Sequence, residues 1–230
     1  MKILALETSA KSVSAAVTDG GVVRAYTYQN TGLTHSRTLM PLVDAMLRES
    51  EQSLADMDLL AVAAGPGSFT GLRIGVSALK GLAWAADKPC CGVSTLEAMA
   101  QNLRHMDGLI VCSMDARRSQ VYNALFTVQN GRPRRLCPDR AISLEELAGE
   151  LAQLGRTAHL IGDGTEVAEK FLTARGLPVC PAPENLRWQS GYGVAMAALD
   201  AEPGTADQVL PVYLRLSQAE RERQERMKKE

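Results

Sequence analysis

Apolar positions in this chain switch between a period of two and a period near three and a half. Short apolar or alternating runs at 3–6, 13–18 and 22–28 read as three strands. The last two join through Asp19-Gly20-Gly21, which places glycine where a hairpin needs positive φ. Leu39, Leu42, Val43, Met46 and Leu47 then follow helical spacing on a helix expected at 34–50, where Pro41 implies a kink or a later start. A strand at 59–64, a helix at 71–86, a strand at 90–93 and a helix at 95–103 complete a first pass.

From Leu109 the same order returns. Strands are expected at 109–114, 120–128 and 132–137, with Asn130-Gly131 as the hairpin turn. Ser143 and Glu146 form a capping box, and Gly155 closes the helix that they open. A strand at 158–161, a helix at 165–175, a proline-rich connection at 178–183 and a helix at 191–201 follow. The pattern βββαβαβα therefore occurs twice, although the prolines blur the last strand of the second pass. It predicts an α/β protein of two lobes, 1–105 and 106–216, each built on a mixed five-stranded sheet, with a ligand cleft between them. Residues 217–230, almost wholly charged from Glu220 onward, read as a solvated tail or contact arm.

The most constrained stretch is the run from Ala63 to Gly75. Gly65, Pro66 and Gly67 make a tight turn, and Ser68 or Thr70 can cap the helix that continues through Gly71. No lysine follows Gly71 as a Walker loop requires, and Gly65, Gly67 and Gly71 are spaced G-x-G-x-x-x-G, one residue longer than a dinucleotide fingerprint. Gly71, Gly75 and Ala78 instead line one helix face beside Leu72 and Leu79. Such a face suits close packing on the chain's own sheet or docking of a partner helix equally well. Trp84, on the same helix, fits a core or an interface.

A net charge of −1 supplies no global field for a polyanion, so a role with RNA has to be local or indirect. Five cysteines without C-x-x-C spacing point to reduced thiols, and no apolar run approaches the length of a membrane span. His35 has no second histidine or carboxylate at helical spacing and reads as a hydrogen-bonding residue at a helix start, so no metal site is expected. Neither H-E-x-x-H nor G-x-S-x-G occurs, which argues against a peptidase.

The run AAGPGSFTGLRIG at 63–75, with LETS at 6–9, GVSTLEAMA at 92–100, MDARRSQVYNALF at 114–126, IGDGTE at 161–166 and PVYLRLSQAE at 211–220, resembles the bacterial TsaB family over nearly the whole chain. The resemblance implies two tandem lobes of the actin-like ATPase (ribonuclease H-like) fold. It also implies a cytoplasmic, non-catalytic partner of TsaD in making threonylcarbamoyladenosine beside the anticodon of tRNAs reading codons that start with A. TsaE would join the larger complex, tRNA would be met only through it, and a homodimer through the same or a neighbouring surface stays open. ATP and metal are expected on the partner, with no cofactor bound by this chain alone.

In working members of that fold each lobe offers an acidic residue and a flexible turn to nucleotide phosphates. The matching positions here are Glu7, Thr8 and Ser9 in one lobe and Asp115 and Arg117 in the other, and neither turn contains glycine. Lys11, Arg117 and Arg118 keep some attraction for an anion. The expected interface with TsaD comprises Leu39, Val43, Met46, Leu47, Leu72, Gly75, Val76 and Leu79, with Arg73 at its rim. A large residue at Gly75 is expected to block assembly without unfolding the monomer. The alternatives are an actin-like ATPase or small-molecule kinase and, more remotely, a glycoprotease-type peptidase.

Overall fold

A computed structural model describes residues 1–117 and 119–215; the charged tail and Arg118 lie outside the described residues. The first sheet contains β1 (Lys2–Glu7), β2 (Val13–Asp19), β3 (Val22–Gln29), β4 (Leu59–Gly65) and β5 (Cys90–Ser94), in the order β3-β2-β1-β4-β5. β1, β2 and β3 are antiparallel, while β4 and β5 run parallel to β1. The hairpin glycines Gly20 and Gly21 take φ of 56° and 83°, and Asn130 and Gly131 take 52° and 72°.

The helices α1 (His35–Glu49), α2 (Phe69–Ala86) and α3 (Thr95–Asn102) intervene before the second sheet. That sheet contains β6 (Gly108–Asp115), β7 (Gln120–Gln129), β8 (Arg132–Arg135), β9 (Arg140–Ser143), β10 (Ala158–Ile161) and β11 (Val179–Pro181). It has six strands rather than five because β7 is long enough to pair twice, with β8 along 126–129 and with β9 along 120–123. α4 (Leu144–Leu154), α5 (Thr165–Thr173), α6 (Glu184–Arg187) and α7 (Gly191–Ala198) complete the order. Ser143 and Glu146 form the capping box of α4, and Gly155 ends it in the left-handed region. α1 begins at His35 and keeps Pro41 inside, so no later start occurs; Pro41 faces solvent there.

The central strands of each sheet are buried on both faces, which explains why they read as continuous apolar runs. On the first sheet Leu4, Leu6, Leu60 and Val62 pack with Leu39, Val43, Met46, Val76 and Leu79 from α1 and α2. Its other face carries Ile3 and Leu59 among smaller side chains, Ala5, Ala61 and Ala63, and takes α7. Chain order puts α3 with 1–105 and α7 with 106–216. In space they are exchanged: α7 lies on β1 and β2, and α3 sends Leu96 and Met99 into the core of the second sheet beside Ile110 and Phe126. α3 and α7 also pack on each other, giving five layers: α1 and α2, the first sheet, α7 with α3, the second sheet, and α4 with α5.

This central contact depends on Gly193, where a Cβ would lie 2.2 Å from the Ala98 carbonyl oxygen. At the same joint Ser190 Oγ donates to Asn102 Oδ1 at 2.7 Å. Gly193→Val is expected to force the two helices apart and cost about 2–3 kcal/mol. The measurement is a lowered urea midpoint at unchanged slope.

Candidate functional site

The strand β6 delivers Asp115 to a cleft of about 520 Å³, while Glu7, at the end of β1, is fully buried and outside the cleft's lining. Ser9 and Lys11 of the first turn, Arg117 of the second, Asp163, and the start of α2 also line it. In both turns a carboxylate of the chain itself takes a backbone N–H that a phosphate oxygen would need. The Ser9 N–H donates to Glu7 Oε1 at 2.5 Å, and the Arg117 N–H donates to Asp115 Oδ1 at 2.7 Å. Arg117 and Ser119 hold φ of 62° and 55°, a backbone region that favours glycine.

Glu7 is fully buried, and its second oxygen has no hydrogen-bond partner. Burial pushes its pKa from the ordinary 4.5 up to about 7, with the nearby Asp163 charge adding to the shift. Burial also raises Asp163, opposed by the amide of Gln189, whose Nε2 donates to Asp163 Oδ1 at 3.0 Å. Asp163 is absent from the expected site residues; its signals in the sequence are its place between Gly162 and Gly164 and within the block IGDGTE.

The glycine motif fixes α2 against the first turn. A Cβ at Gly67 would sit 2.6 Å from the Ser9 carbonyl oxygen, one at Gly71 2.1 Å from that of Thr8, and one at Gly75 2.3 Å from Thr8 Oγ1. Ser68 caps α2 by accepting from the Gly71 N–H at 3.3 Å, and its own N–H donates to the Ser9 carbonyl at 2.7 Å. Thr8 Oγ1 donates to the Gly71 carbonyl at 2.8 Å. Thr70 is exposed beside the cleft, and the Gly65-Pro66 peptide is cis. Gly65 receives the C-terminal segment, since the Val212 N–H donates to the Ala64 carbonyl at 2.7 Å. From there Tyr213 stacks on Phe69 at 4.6 Å, Arg73 lies 3.9 Å over that ring, and Arg215 Nη1 reaches the Ala116 carbonyl at 2.6 Å in the other lobe.

Of the two readings of the small-residue face, packing on the chain's own sheet therefore holds. The expected interface needs correction. Leu39, Val43, Met46, Leu72, Gly75, Val76 and Leu79 are buried in the first lobe, and Leu47 is packed against the same core. Arg73 alone of that set is exposed. Helical spacing identified the right face and assigned it to the wrong neighbour. The outward face of the same helices presents Met40, Asp44, Ser77, Gly81 and Trp84, with Trp84 63% exposed. No atom lies within 4 Å of a Cβ built at Gly81.

His35 is spent on a backbone contact, 2.7 Å from its Nε2 to the Ala10 carbonyl. Among the described residues no group of three His, Cys, Asp or Glu side chains could hold a metal ion, and no helix is long and apolar enough to cross a membrane.

Comparison with known proteins places this geometry. The family model described as "TsaD: tRNA N6-adenosine threonylcarbamoyltransferase" matches residues 6–185. The tRNA threonylcarbamoyladenosine biosynthesis protein TsaB of Bacillus subtilis (strain 168) is 35% identical over 224 residues, 96% of each chain. The chain belongs to the TsaB family. The TsaB of Escherichia coli (strain K12) is 40% identical over 128 residues, and that match spans 55% of each protein. The solved structure titled "YeaZ from Pseudomonas aeruginosa" is 27% identical with a TM-score of 0.77, covering 93% of this chain and 99% of that one. The actin-like two-sheet plan of this TsaB-family chain is thus shared with a solved relative.

Two tests follow. An unfolded glutamate titrates near 4.5, so keeping Glu7 buried costs increasing stability as pH rises from 4.5 to about 7, with no further loss above. Glu7→Gln is expected to remove that cost, gaining up to about 3 kcal/mol on wild type at pH 8 and little at pH 4.5, by urea melts across pH. Gly75→Trp, placed against Thr8, is expected to prevent folding of the monomer itself, read as loss of the native circular dichroism signal.

Proposed function

We propose that this chain is the non-catalytic scaffold subunit of the complex that forms threonylcarbamoyladenosine beside the anticodon of tRNAs reading codons that start with A. In this reading it binds and supports TsaD, TsaE joins the larger complex, and ATP and metal reside on the partner. The chain works in the cytoplasm and meets tRNA only within the assembly. A homodimer on the same surface would compete with the heteromer.

The observation that carries the non-catalytic assignment is the pair of carboxylates, Glu7 and Asp115, bonded to the backbone of the turns that would cradle phosphate. An ATPase or kinase needs those N–H groups free for its nucleotide. The partner surface is assigned to the outward face of α1 and α2, where an exposed tryptophan stands beside a glycine that lets another backbone approach.

Gly81→Arg and Trp84→Asp are expected to leave the monomer's melting within about 1 kcal/mol, since both positions face solvent. Each is expected to weaken the complex with TsaD at least tenfold, by light scattering and calorimetry. ATP with magnesium titrated into the lone chain should give no binding heat. A variant that kept full affinity for TsaD would move the interface elsewhere, and tight nucleotide binding would restore the kinase reading.

A further inference from the structure

A second cavity, of about 830 Å³, lies on the face of β3 that α7 covers, away from the cleft. Tyr26 and Tyr28 form one wall, and Trp188 and Tyr192 contribute from the segment that returns from the second lobe. Glu184 is the sole charged side chain among the lining residues, with 70% of its side chain exposed. It accepts from Trp188 Nε1 at 2.8 Å and pairs with Arg187 at 3.3 Å, which leaves further acceptor positions on its carboxylate open. Four aromatic rings and a carboxylate favour a cation, and no lining side chain carries a positive charge to pair with an anion.

The wall of this groove is also a sheet edge. β3 pairs with β2 alone among the described strands, so one side of an eight-residue strand offers unpaired N–H and C=O groups. Val22, Val23, Tyr26 and Tyr28 are exposed along it. Every second side chain of a strand added there would stand on the same face as Tyr26 and Tyr28, above the groove.

We propose that β3 and its groove bind an extended, basic peptide segment of a partner protein by strand addition. The edge supplies main-chain pairing, and the aromatic rings with Glu184 select arginine or lysine. A free organic cation would leave the edge unused. A second copy of this chain would bring Arg24 as the one basic residue of its β3, and Asp19 already holds that side chain at 3.4 Å.

The test follows Trp188 fluorescence in a Trp84→Phe background, where it is the remaining tryptophan. The probes are a capped octapeptide of alternating valine and arginine, its glutamate counterpart, and the basic peptide N-methylated at alternate amides in each of two registers. The basic peptide should bind saturably, the acidic one at least tenfold more weakly, and one N-methylated register should lose binding. Glu184→Gln should weaken binding at least fivefold with an unchanged urea midpoint. Equal affinity for both charges, undiminished binding of both N-methylated registers, or an unaffected Glu184→Gln would overturn the proposal. So would a dimer in sedimentation that Tyr28→Lys dissolves, since a second copy would then own the edge.

Discussion

The N-terminal half of the cleft depends on how closely α2 approaches the turn after β1. Backbone meets backbone there because positions 67, 71 and 75 carry no side chain, and Thr8 and Ser9 use the space for hydrogen bonds. Once that turn is pinned to the helix, the Ser9 N–H faces inward to Glu7. The same contact fixes which side of α2 is core and which is surface. One steric condition therefore sets the course of the first turn and leaves Trp84 on the surface.

Glu7 is the costly member of this arrangement. Its carboxylate is fully buried, half satisfied, and close to a second acid, Asp163, that reaches it from the other lobe. A purely structural residue at this position would more cheaply be an amide or an apolar side chain. That cost falls on the same carboxylate that takes the Ser9 N–H.

Much of the fold was legible in the sequence because it was written in local terms. The Asp19-Gly20-Gly21 and Asn130-Gly131 turns, the Ser143 and Glu146 capping box, and the short continuous apolar run from Ile3 to Leu6 each name their own geometry. The direction in which Gly71 and Gly75 face was not legible, since spacing marks a helix face without saying what lies against it. β9 was missed because four residues with Ile142 as the one buried side chain carry almost no period. The exchange of α3 and α7 was hidden for a different reason: chain order cannot report which sheet a helix returns to. The carboxylate-filled turns were half visible, as acidic residues beside glycine-free loops.

That exchange bears on what the two lobes are to each other. Each repeat hands its last helix to the middle of the molecule, and the face left behind is alanine-rich on the first sheet, shaped to be covered closely. Neither half of the chain can close its own core, so the repeat seen in the sequence is no longer a module that can be lost, shuffled or inherited alone. The smallest heritable unit of this architecture is the pair.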